Sequence, residues 1–275
     1  MQNPDSCDFS AWADTLDAHL RARPCFVKRA VVSPELVSTQ DTAREIAGNQ
    51  PGLLVVADHQ TAARGRLGRP WVQRPGLVLA ATFTFSIAQL APERLSLIAG
   101  LAAARAIEST LAQLLPDPLL TSMRWPNDVL EPRSDGGRKL AGVLIEVRAG
   151  IALVGIGINI LHKPEDFPPH LRTRATSVRA VAASRGATAL PDRFATLLAL
   201  IDSLSRGLIE PLAETTAEWS RRDILPGTHR TFVHDGRAVK GHVLAIDPLN
   251  LITIRTDAGE RVQLPALTTS LVHDA

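Results

Sequence analysis

The sequence predicts an α/β chain in which helices flank a mixed sheet, followed by a small SH3-like β-barrel. Continuous apolar runs at residues 53–57 and 77–85 are typical of buried strands. A long helical periodicity then covers residues 92–115. Beyond it, the C-terminal part of the chain changes to short strands separated by Gly- and Asp-containing turns. We therefore expect a catalytic domain over residues 1–222 and a β-barrel domain over residues 223–275.

The other elements follow from local periodicity, capping residues and turns. Further helices are predicted at residues 9–20, 38–48 and 192–212. Further strands are predicted at residues 26–32, 139–147, 151–160, 230–233, 238–246, 251–256 and 261–264. Ser38 and Asp41 have the spacing of a capping box, so local physics favours a plain helix cap there. We expect an exposed, mobile turn at residues 131–137.

Composition indicates an ordinary globular protein of 275 residues, with 45% hydrophobic and 21% charged residues and a net charge of +2. This charge does not demand nucleic acid as a partner. Cys7 and Cys25 lack metal-ligand spacing and indicate thiols in a reducing compartment. The N-terminus has no signal-peptide pattern, and no apolar segment is expected to approach the length of a membrane span. We expect a cytoplasmic protein.

A loop rich in arginine and glycine follows the first buried run. Arg64, Arg66 and Arg69 fall within six positions, separated by Gly65 and Gly68. Glycine lets a backbone approach a ligand closely, and arginine offers a planar charged fork that matches carboxylates and phosphates. The loop therefore indicates a site for a small anion. Taken alone, it is explained equally well by a solvated basic loop or an RNA-binding patch.

Three more motifs narrow this choice. Residues 123–129 read Met-Arg-Trp-Pro-Asn-Asp-Val, residues 139–142 read Lys-Leu-Ala-Gly, and residues 155–160 read Gly-Ile-Gly-Ile-Asn-Ile. In this order and spacing, the set resembles the biotin protein ligases. That family has a Gly-Arg-Gly-Arg-x-Gly-Arg-x-Trp loop, a Lys-Trp-Pro-Asn-Asp turn, a Lys-Leu-Ala-Gly strand and a Gly-x-Gly-x-Asn strand. The resemblance runs from about Ser38 to the C-terminus and implies a class II synthetase-like biotin/lipoate ligase fold.

The resemblance implies an ATP-dependent ligase that makes biotinyl-5′-AMP from biotin and Mg²⁺–ATP. The enzyme would then transfer biotin to one lysine of a biotin carboxyl carrier domain of acetyl-CoA carboxylase or a related carboxylase. Fewer than forty residues precede the first motif, too few for a winged helix-turn-helix, so we expect the ligase-only class. No DNA or membrane partner is expected, and a homodimer is left open.

The resemblance also assigns site residues. Those implied for biotin are Ser38, Thr39, Gln60, Arg64, Lys139 and Gly142. Those implied for ATP and the adenylate are Arg64, Arg66, Arg69, Trp71, Asn127 and Asn159, with Asp128 near magnesium. Lys139 and Arg66 are the expected catalytic residues, because cations are needed where anionic charge develops.

Each assignment has a plainer structural alternative. Lys139 could be a solvated lysine at a strand end, and Trp71 could be a core aromatic. Asn127 and Asp128 could form an Asx turn after proline, and Asn159 could be a turn-forming asparagine. The small residues beside Lys139, which let a flat ring lie on the backbone, favour the functional interpretation.

The chain departs from the family pattern at three places. Ala63 replaces the first loop glycine and would tighten or crowd the pocket if that position required a positive φ. Arg124 replaces the usual lysine before the tryptophan, which keeps the charge but changes its geometry. Residues 268–271, Thr-Thr-Ser-Leu, replace a usual Gly-Glu-x-Ser-Leu ending, which puts nucleotide contacts from the C-terminal domain in doubt.

Two other functions remain open from the sequence. A lipoate ligase or acyltransferase would share the superfold, although the combined motifs argue against it. A nucleic-acid-binding regulator would use Arg64, Arg66 and Arg69 on phosphates and would bind with strong salt dependence.

Overall fold

The computed structural model describes residues 8–23, 25–132 and 137–272. The N-terminal and central elements are α1 (Trp12–Ala22), β1 (Arg29–Leu36), α2 (Thr39–Ala47), β2 (Leu53–Gln60), β3 (Val78–Ser86), α3 (Pro92–Ala112), β4 (Ser122–Arg124), β5 (Asp128–Leu130), β6 (Lys139–Arg148) and β7 (Ile151–Asn159). The C-terminal elements are α4 (Val178–Ala183), α5 (Arg193–Ile209), α6 (Leu212–Arg222), β8 (His229–His234), β9 (Arg237–Ile246), β10 (Leu251–Thr256), β11 (Arg261–Pro265) and β12 (Thr269–Leu271).

The larger sheet has seven strands in the order β1-β2-β3-β7-β6-β5-β4. β1 and β2 run parallel, whereas the other neighbouring strands pair antiparallel, so the sheet is mixed as predicted. One face carries α3 and α5, which pack on alternate apolar residues such as Leu54, Phe83 and Ile156. α2 covers only part of the opposite face, through Ala43 and Val55. The rest of that face is therefore open to form a site.

A separate five-stranded antiparallel sheet follows at the C-terminus, in the order β11-β10-β9-β8-β12. Its core contains Phe232, Val243 and Ile254 together with Trp125, which comes from the β4–β5 turn of the larger sheet. The second sheet was predicted, and Trp125 places its core in direct contact with the first sheet. The domain boundary after residue 222 stays a prediction.

Some elements differ from those predicted. β1 begins at Arg29, three residues later than expected, and continues through Pro34. Proline is tolerated there because β1 is an edge strand and needs no N–H on its outer side. Ser38 precedes α2, but its side chain makes no capping hydrogen bond, so the expected plain cap is wrong. The elements that the sequence did not predict are α4, α6, β4, β5 and β12.

The core helix α3 corrects the expectation about membrane-spanning segments. By length and composition alone, its 21 residues could cross a bilayer. However, 72% of its most apolar window is buried inside the protein. Ala99, Ala102 and Ala106 are fully buried, and α5 packs against α3. The apolar character of α3 is thus explained by its position in the core.

The turn expected at residues 131–137 can be judged only at its ends, because residues 133–136 lie outside the described residues. Glu131 is 5% exposed, so the expected exposure is wrong at this position. Its carboxylate accepts hydrogen bonds from the Arg138 Nε and Nη2 atoms, at 2.7 and 3.0 Å. This ion pair links β5 to the start of β6.

Candidate active site

A cavity of about 560 Å³ lies between the open face of the larger sheet, the arginine loop and the last strand of the chain. The charged residues that line this cavity are mostly positive. Asp128 is the one carboxylate among the described residues that line it. The lining cations are Arg64, Arg66, Arg69, Arg124, Lys139 and Arg174. Such a cavity is suited to an anionic ligand.

The floor of the cavity is a flat patch of β6 and β7. Gly142 pairs with Gly157 across these strands. A Cβ on Gly157 would lie 3.1 Å from the ring of Trp71, and one on Gly142 would lie 3.0 Å from it. Only glycine therefore lets this indole approach the sheet so closely. The backbone N–H of Trp71 donates to the Ala63 carbonyl at 3.0 Å, which closes the base of the arginine loop.

Lys139 lies at the start of β6 with its side chain between Trp71 and Asp128. Its Nζ atom is 2.5 Å from Asp128 Oδ1 and 5.0 Å from the centre of the Trp71 ring. Arg124 holds the other carboxylate oxygen of Asp128 at 2.7 Å. Burial raises the pKa of Asp128, but the charges of Lys139 and Arg124 outweigh burial and hold this pKa well below its usual value.

A neutral polar pocket occupies the other end of the cavity. Ser38 and Thr39, at the start of α2, are 1% and 4% exposed. Gln60 Oε1 accepts hydrogen bonds from the backbone N–H and the hydroxyl of Thr39, at 2.8 and 3.1 Å. The hydroxyl of Thr82 donates in turn to the Thr39 hydroxyl at 2.9 Å. These bonds fix the polar groups before any ligand binds.

Arg64 is held by two carboxylates that the sequence motifs do not identify as site residues. Its guanidinium lies 2.6 Å from Asp41 and 3.1 Å from Glu146. The hydrogen bond from Arg64 holds the pKa of Asp41 below its ordinary value, and the same bond raises the pKa of Arg64. Asp41 thus binds Arg64 instead of completing a capping box. Arg64 also approaches the hydroxyl of Ser38, at 3.4 Å.

The other two loop arginines point toward the C-terminal strands. Arg66 Nη2 donates to the carbonyls of Ala266 and, at 3.3 Å, Thr269. Arg69 donates to the hydroxyl of Ser270 at 3.3 Å. Burial lowers the pKa of Arg66. These contacts bring the end of the chain into the wall of the cavity.

The two predicted asparagines contact the first strand of the floor. Asn127 Nδ2 donates to the Val143 carbonyl at 2.7 Å, and Asn159 Nδ2 donates to the Lys139 carbonyl at 3.3 Å. Asn159 is 3% exposed. Both side chains therefore steady β6, and both residues line the cavity.

All of the predicted site residues line this one cavity. They are Ser38, Thr39, Gln60, Arg64, Arg66, Arg69, Trp71, Asn127, Asp128, Lys139, Gly142 and Asn159. The cavity is also lined by Gln40, Arg174 and Ser270, which the sequence motifs do not identify as site residues. A signal for Gln40 was present, since it directly follows the Ser-Thr pair.

The departure at Ala63 is compatible with the backbone. Ala63 is not among the residues with positive φ, whereas Leu67, in the same loop, has φ 57°. The left-handed turn thus falls at Leu67 and Gly68, so a methyl group at position 63 causes no backbone strain.

Comparison with known proteins places this architecture in a family. Residues 33–162 match the biotin/lipoate A/B protein ligase family. A biotin–[acetyl-CoA-carboxylase] ligase of Paracoccus denitrificans is 32% identical over 60% of this chain and 68% of its own length. This chain belongs to the biotin protein ligase family.

Two further similarities bear on this family assignment. The bifunctional ligase/repressor BirA of Bacillus subtilis is 36% identical over 54% of this chain, but the match spans only 46% of that protein. The structure of a biotin protein ligase from Aquifex aeolicus in complex with biotin and ATP superposes with a TM-score of 0.74. It is 25% identical, and the match covers 90% of this chain and 100% of that one. The likeness thus extends from the family region into the C-terminal sheet.

Proposed function

We propose that this chain uses ATP to activate biotin as biotinyl-5′-AMP and then transfers biotin to a lysine of a biotin carboxyl carrier domain. The observation that carries the proposal is one cavity with a neutral polar pocket at one end and a cationic cluster at the other. Biotin has a neutral bicyclic head and a carboxylate tail, and ATP brings phosphates. The membership in the biotin protein ligase family supports the same pairing of ligands.

In the first step, a biotin carboxylate oxygen attacks the α-phosphorus of ATP, the bond to the β-phosphate oxygen breaks, and pyrophosphate leaves. Two anions must approach each other, so cations at the point of attack lower the barrier. We assign this role to Lys139, which Asp128 already orients, with Arg66 as the second catalytic residue. The polar pocket of Ser38, Thr39 and Gln60 would hold the head group.

Gly142 and Arg64 complete the proposed biotin site. Gly142 keeps the sheet flat where the ligand would lie, because a side chain there would strike Lys139 at 2.9 Å. Arg64 is bound by Asp41 and Glu146. It would therefore act through its fixed position, as a hydrogen-bond donor beside Ser38.

The nucleotide would lie toward the C-terminal strands. We assign Arg66 and Arg69 to its phosphates, and Trp71, Asn127 and Asn159 to its sugar and base. The C-terminal sheet forms part of this wall through Ser270. We also propose that the catalytic domain spans residues 1–222 and the barrel domain residues 223–275.

We propose that magnesium arrives with ATP, because Asp128 is the one carboxylate among the described residues that line the cavity. No group of three or more His, Cys, Asp or Glu side chains able to hold a metal occurs in the described parts of the chain. Asp128 is already bound by Lys139 and Arg124. Mg²⁺ would accordingly enter as part of the substrate, on the phosphates of ATP.

In the second step, the ε-amine of the acceptor lysine attacks the acyl carbon of biotinyl-AMP, AMP leaves, and an amide bond forms. We expect the acceptor to be the biotin carboxyl carrier domain of acetyl-CoA carboxylase or of a related carboxylase. The name of the Paracoccus relative supports this class of acceptor.

Lipoate ligation is the second candidate, since the matched family includes lipoate ligases. The hydrogen-bonded polar pocket favours biotin, because the dithiolane ring of lipoate has no N–H or carbonyl to use these groups. A nucleic-acid-binding role is less compatible with the site. Arg64 is held by carboxylates, and Arg66 is turned toward Ala266.

The test is pyrophosphate release with ATP and either biotin or lipoate. Release that requires biotin, followed by labelling of a recombinant carboxyl carrier domain, is expected. Release with lipoate at equal or higher kcat/KM, or no release with either acid, contradicts the proposal. Replacing the acceptor lysine by arginine should leave the first turnover of pyrophosphate release unchanged and abolish labelling.

A further inference from the structure

Four large apolar side chains are exposed where the arginine loop meets the C-terminal strands. Leu67 lies in the loop and Val72 directly after it, whereas Leu267 and Val272 lie before and after β12. Leu67 is 60% exposed, and Leu267 is 83% exposed. We call these four residues the apolar rim. Water solvates such side chains poorly, so a group of them at one place indicates a surface that another molecule covers.

Hydrogen bonds bring the two leucines of the rim to one place. Leu67 lies between Arg66 and Arg69 in the chain. Both arginines donate to residues 266–270, the segment that contains Leu267. The leucines thus belong to two segments that contact each other. Leu67 and the two valines of the rim also line the cavity, so the apolar rim forms part of its mouth.

The backbone of Leu67 adopts a conformation that is unfavourable for leucine. Its φ is 57°, in the left-handed region that glycine occupies freely and bulky residues rarely adopt. A side chain that is mostly exposed gains little from packing to offset this cost. Strained residues of this kind cluster at binding and catalytic sites. The conformation of Leu67 therefore indicates a residue that is used in binding.

The second step of the proposed reaction brings a macromolecule to this mouth. The acceptor lysine has to reach the acyl carbon of biotinyl-AMP inside the cavity, and its amine stands on a stem of only four carbons. The backbone beside that lysine must therefore come against the residues that surround the mouth. The anionic substrates need the cationic interior of the cavity, but neither of them needs apolar side chains that face outward.

We propose that the apolar rim is the docking surface for the acceptor domain and receives apolar side chains that lie beside the acceptor lysine. Burial of Leu67 and Leu267 would contribute to the affinity for the acceptor and not to the activation of biotin. This inference rests on the proposed function, since it takes biotinyl-AMP as the bound intermediate.

The experiment separates docking of the acceptor from the chemistry of the site. Leu267→Ser removes one apolar side chain, and Leu67→Asn removes the other with a residue that tolerates a positive φ. In the double variant, kcat/KM for labelling of a recombinant carboxyl carrier domain of acetyl-CoA carboxylase should fall about 10- to 50-fold, through a higher KM. Biotin-dependent pyrophosphate exchange should not change. Formation of biotinyl hydroxamate should not change either, because hydroxylamine attacks the same acyl carbon and displaces AMP without any docking surface.

Ile209→Ser is the matched control. Ile209 is 85% exposed at the end of α5, on the other face of the larger sheet, and this variant should label the carrier domain as the wild type does. Unchanged labelling by Leu267→Ser and by the double variant overturns the docking surface. An equal loss of hydroxamate formation overturns it too, since the variants would then have disturbed the chemistry. A wild-type dimer that the double variant cannot form, with labelling unchanged, would assign the apolar rim to a second copy of this chain.

Direct binding distinguishes failure of this inference from failure of the proposed function. Surface plasmon resonance compares the wild type and the double variant on a carrier domain whose acceptor lysine is replaced by arginine. The double variant should bind this domain more weakly than the wild type does. A wild type that makes no biotinyl-AMP contradicts the proposed function, and the loss of binding in the double variant still tests the apolar rim. Equal binding by the two proteins, or no binding by the wild type, overturns the docking surface.

Discussion

Lys139 reaches the cavity with its ammonium group already paired with Asp128, 2.5 Å away. A long flexible side chain loses rotamer freedom when it binds, and this pairing limits that loss in advance. Trp71 confines the same group from its other side. The arrangement holds the ammonium group of Lys139 in place, and Arg124 shares the carboxylate of Asp128 with it.

Replacing Lys139 by alanine should therefore abolish most adenylate formation. We expect a loss of about 100- to 1000-fold in the rate of biotin-dependent pyrophosphate exchange, because a preorganised cation is removed from the developing charge. Lys240→Ala, on an exposed site of β9, is the matched control and should retain full activity. A Lys139→Ala rate within a few-fold of wild type, with an unchanged thermal unfolding curve, would refute this assignment.

Asp223 gives a prediction about pH and stability. Burial raises the pKa of its carboxyl, next to the end of α6, from an ordinary 3.8 to about 6. The folded state thus favours the protonated form. The resulting stabilisation is fully present below pH 3.8 and is lost as the pH rises through about 6.

Asp223→Asn should remove this loss of stability at high pH, because the asparagine side chain stays neutral. Its amide oxygen can still accept the hydrogen bond that the Leu225 N–H donates to Asp223 at 2.9 Å in the wild type. The free energy of unfolding of the variant minus that of wild type should rise by roughly 2–3 kcal/mol between pH 4 and pH 7.5. Urea denaturation at these two pH values measures it. His162, whose pKa burial lowers to about 4, titrates in both proteins and cancels in the difference. A difference that does not change with pH would be inconsistent with a buried titrating Asp223.

The site residues that sequence could predict are those in short motifs. Lys139, Asp128 and the loop arginines sit in such motifs, and all of them line the cavity. Glu146 could not be selected, because its partners Arg44 and Arg64 are 102 and 82 positions away in the chain. A carboxylate on a strand carries no local signal of a partner that only the folded sheet brings to it.

At the scale of elements, the β4–β5 turn connects the cavity to the C-terminal sheet. Trp125 precedes Asn127 and Asp128 and is buried in the core of the second sheet, with Phe232 and Val243. Its ring anchors the turn, and both Trp125 and the residues after it line the cavity. The packing of the second sheet therefore helps to fix the position of the β4–β5 turn of the first sheet.

Trp125→Ala should lower stability by about 3–5 kcal/mol, as expected for loss of a buried tryptophan. We also expect KM for ATP to rise, because the turn that carries Asn127 and Asp128 loses its anchor. Trp219→Ala is the control, since Trp219 is equally buried but packs beneath α3. It should lose comparable stability with little change in KM. Equal KM values for the two variants would show that the anchor is not needed.

The arginine loop is the second element with a testable role. Three backbone contacts close it, including Gly65 N–H to the Arg69 carbonyl at 2.8 Å. Arg66 crosses to the carbonyls of Ala266 and Thr269. We predict that the loop is mobile without ligand and closes over the adenylate, where its arginines can exchange these carbonyls for a phosphate. Closure would also shield the mixed anhydride from water.

Arg66→Gly should leave adenylate synthesis possible but release biotinyl-AMP about 10- to 100-fold faster, since charge-assisted hydrogen bonds are lost. The measurements are biotinylation of a bystander protein and protease cleavage of the loop with and without ligand. Arg237→Gly, at an exposed position of β9, is the control. Unchanged retention of the adenylate by Arg66→Gly, or no ligand protection of the wild-type loop, would rule out a lid.

The elements show where sequence patterns succeed. The hairpin of β6 and β7 was predicted from two apolar runs and the Ala-Gly turn, and Ala149 and Gly150 indeed have positive φ. β4 and β5 were missed because each has only three residues, too few to show periodicity. β5 exists because it pairs with β6, and β4 exists because it pairs in turn with β5. β12 likewise depends on its neighbour, β8.

At the scale of the whole molecule, the net charge is small, and positive charge is concentrated around the cavity. The chain carries a net charge of only +2, yet six cations and one carboxylate line the cavity among the residues that the structure describes. Arg64 is neutralised by Asp41 and Glu146 behind the wall, and Lys139 and Arg124 share Asp128. The positive charge that is not neutralised in this way attracts anions to the end of the cavity nearest the C-terminal strands.

This distribution predicts that salt acts mainly on the binding of ATP. Charges separated by more than about 10 Å are largely screened at 0.1 M salt, and the nucleotide carries more charge than the biotin carboxylate. Raising NaCl from 0.05 to 0.5 M should therefore increase KM for Mg²⁺–ATP by roughly 5- to 10-fold and KM for biotin by less than about 2-fold. Arg69→Gln should reduce the slope for ATP, because Arg69 is an exposed cation of the rim, whereas Arg237→Gln should not change it. Equal slopes for the two substrates, or an unchanged slope in Arg69→Gln, would show that the cationic end of the cavity does not receive the nucleotide.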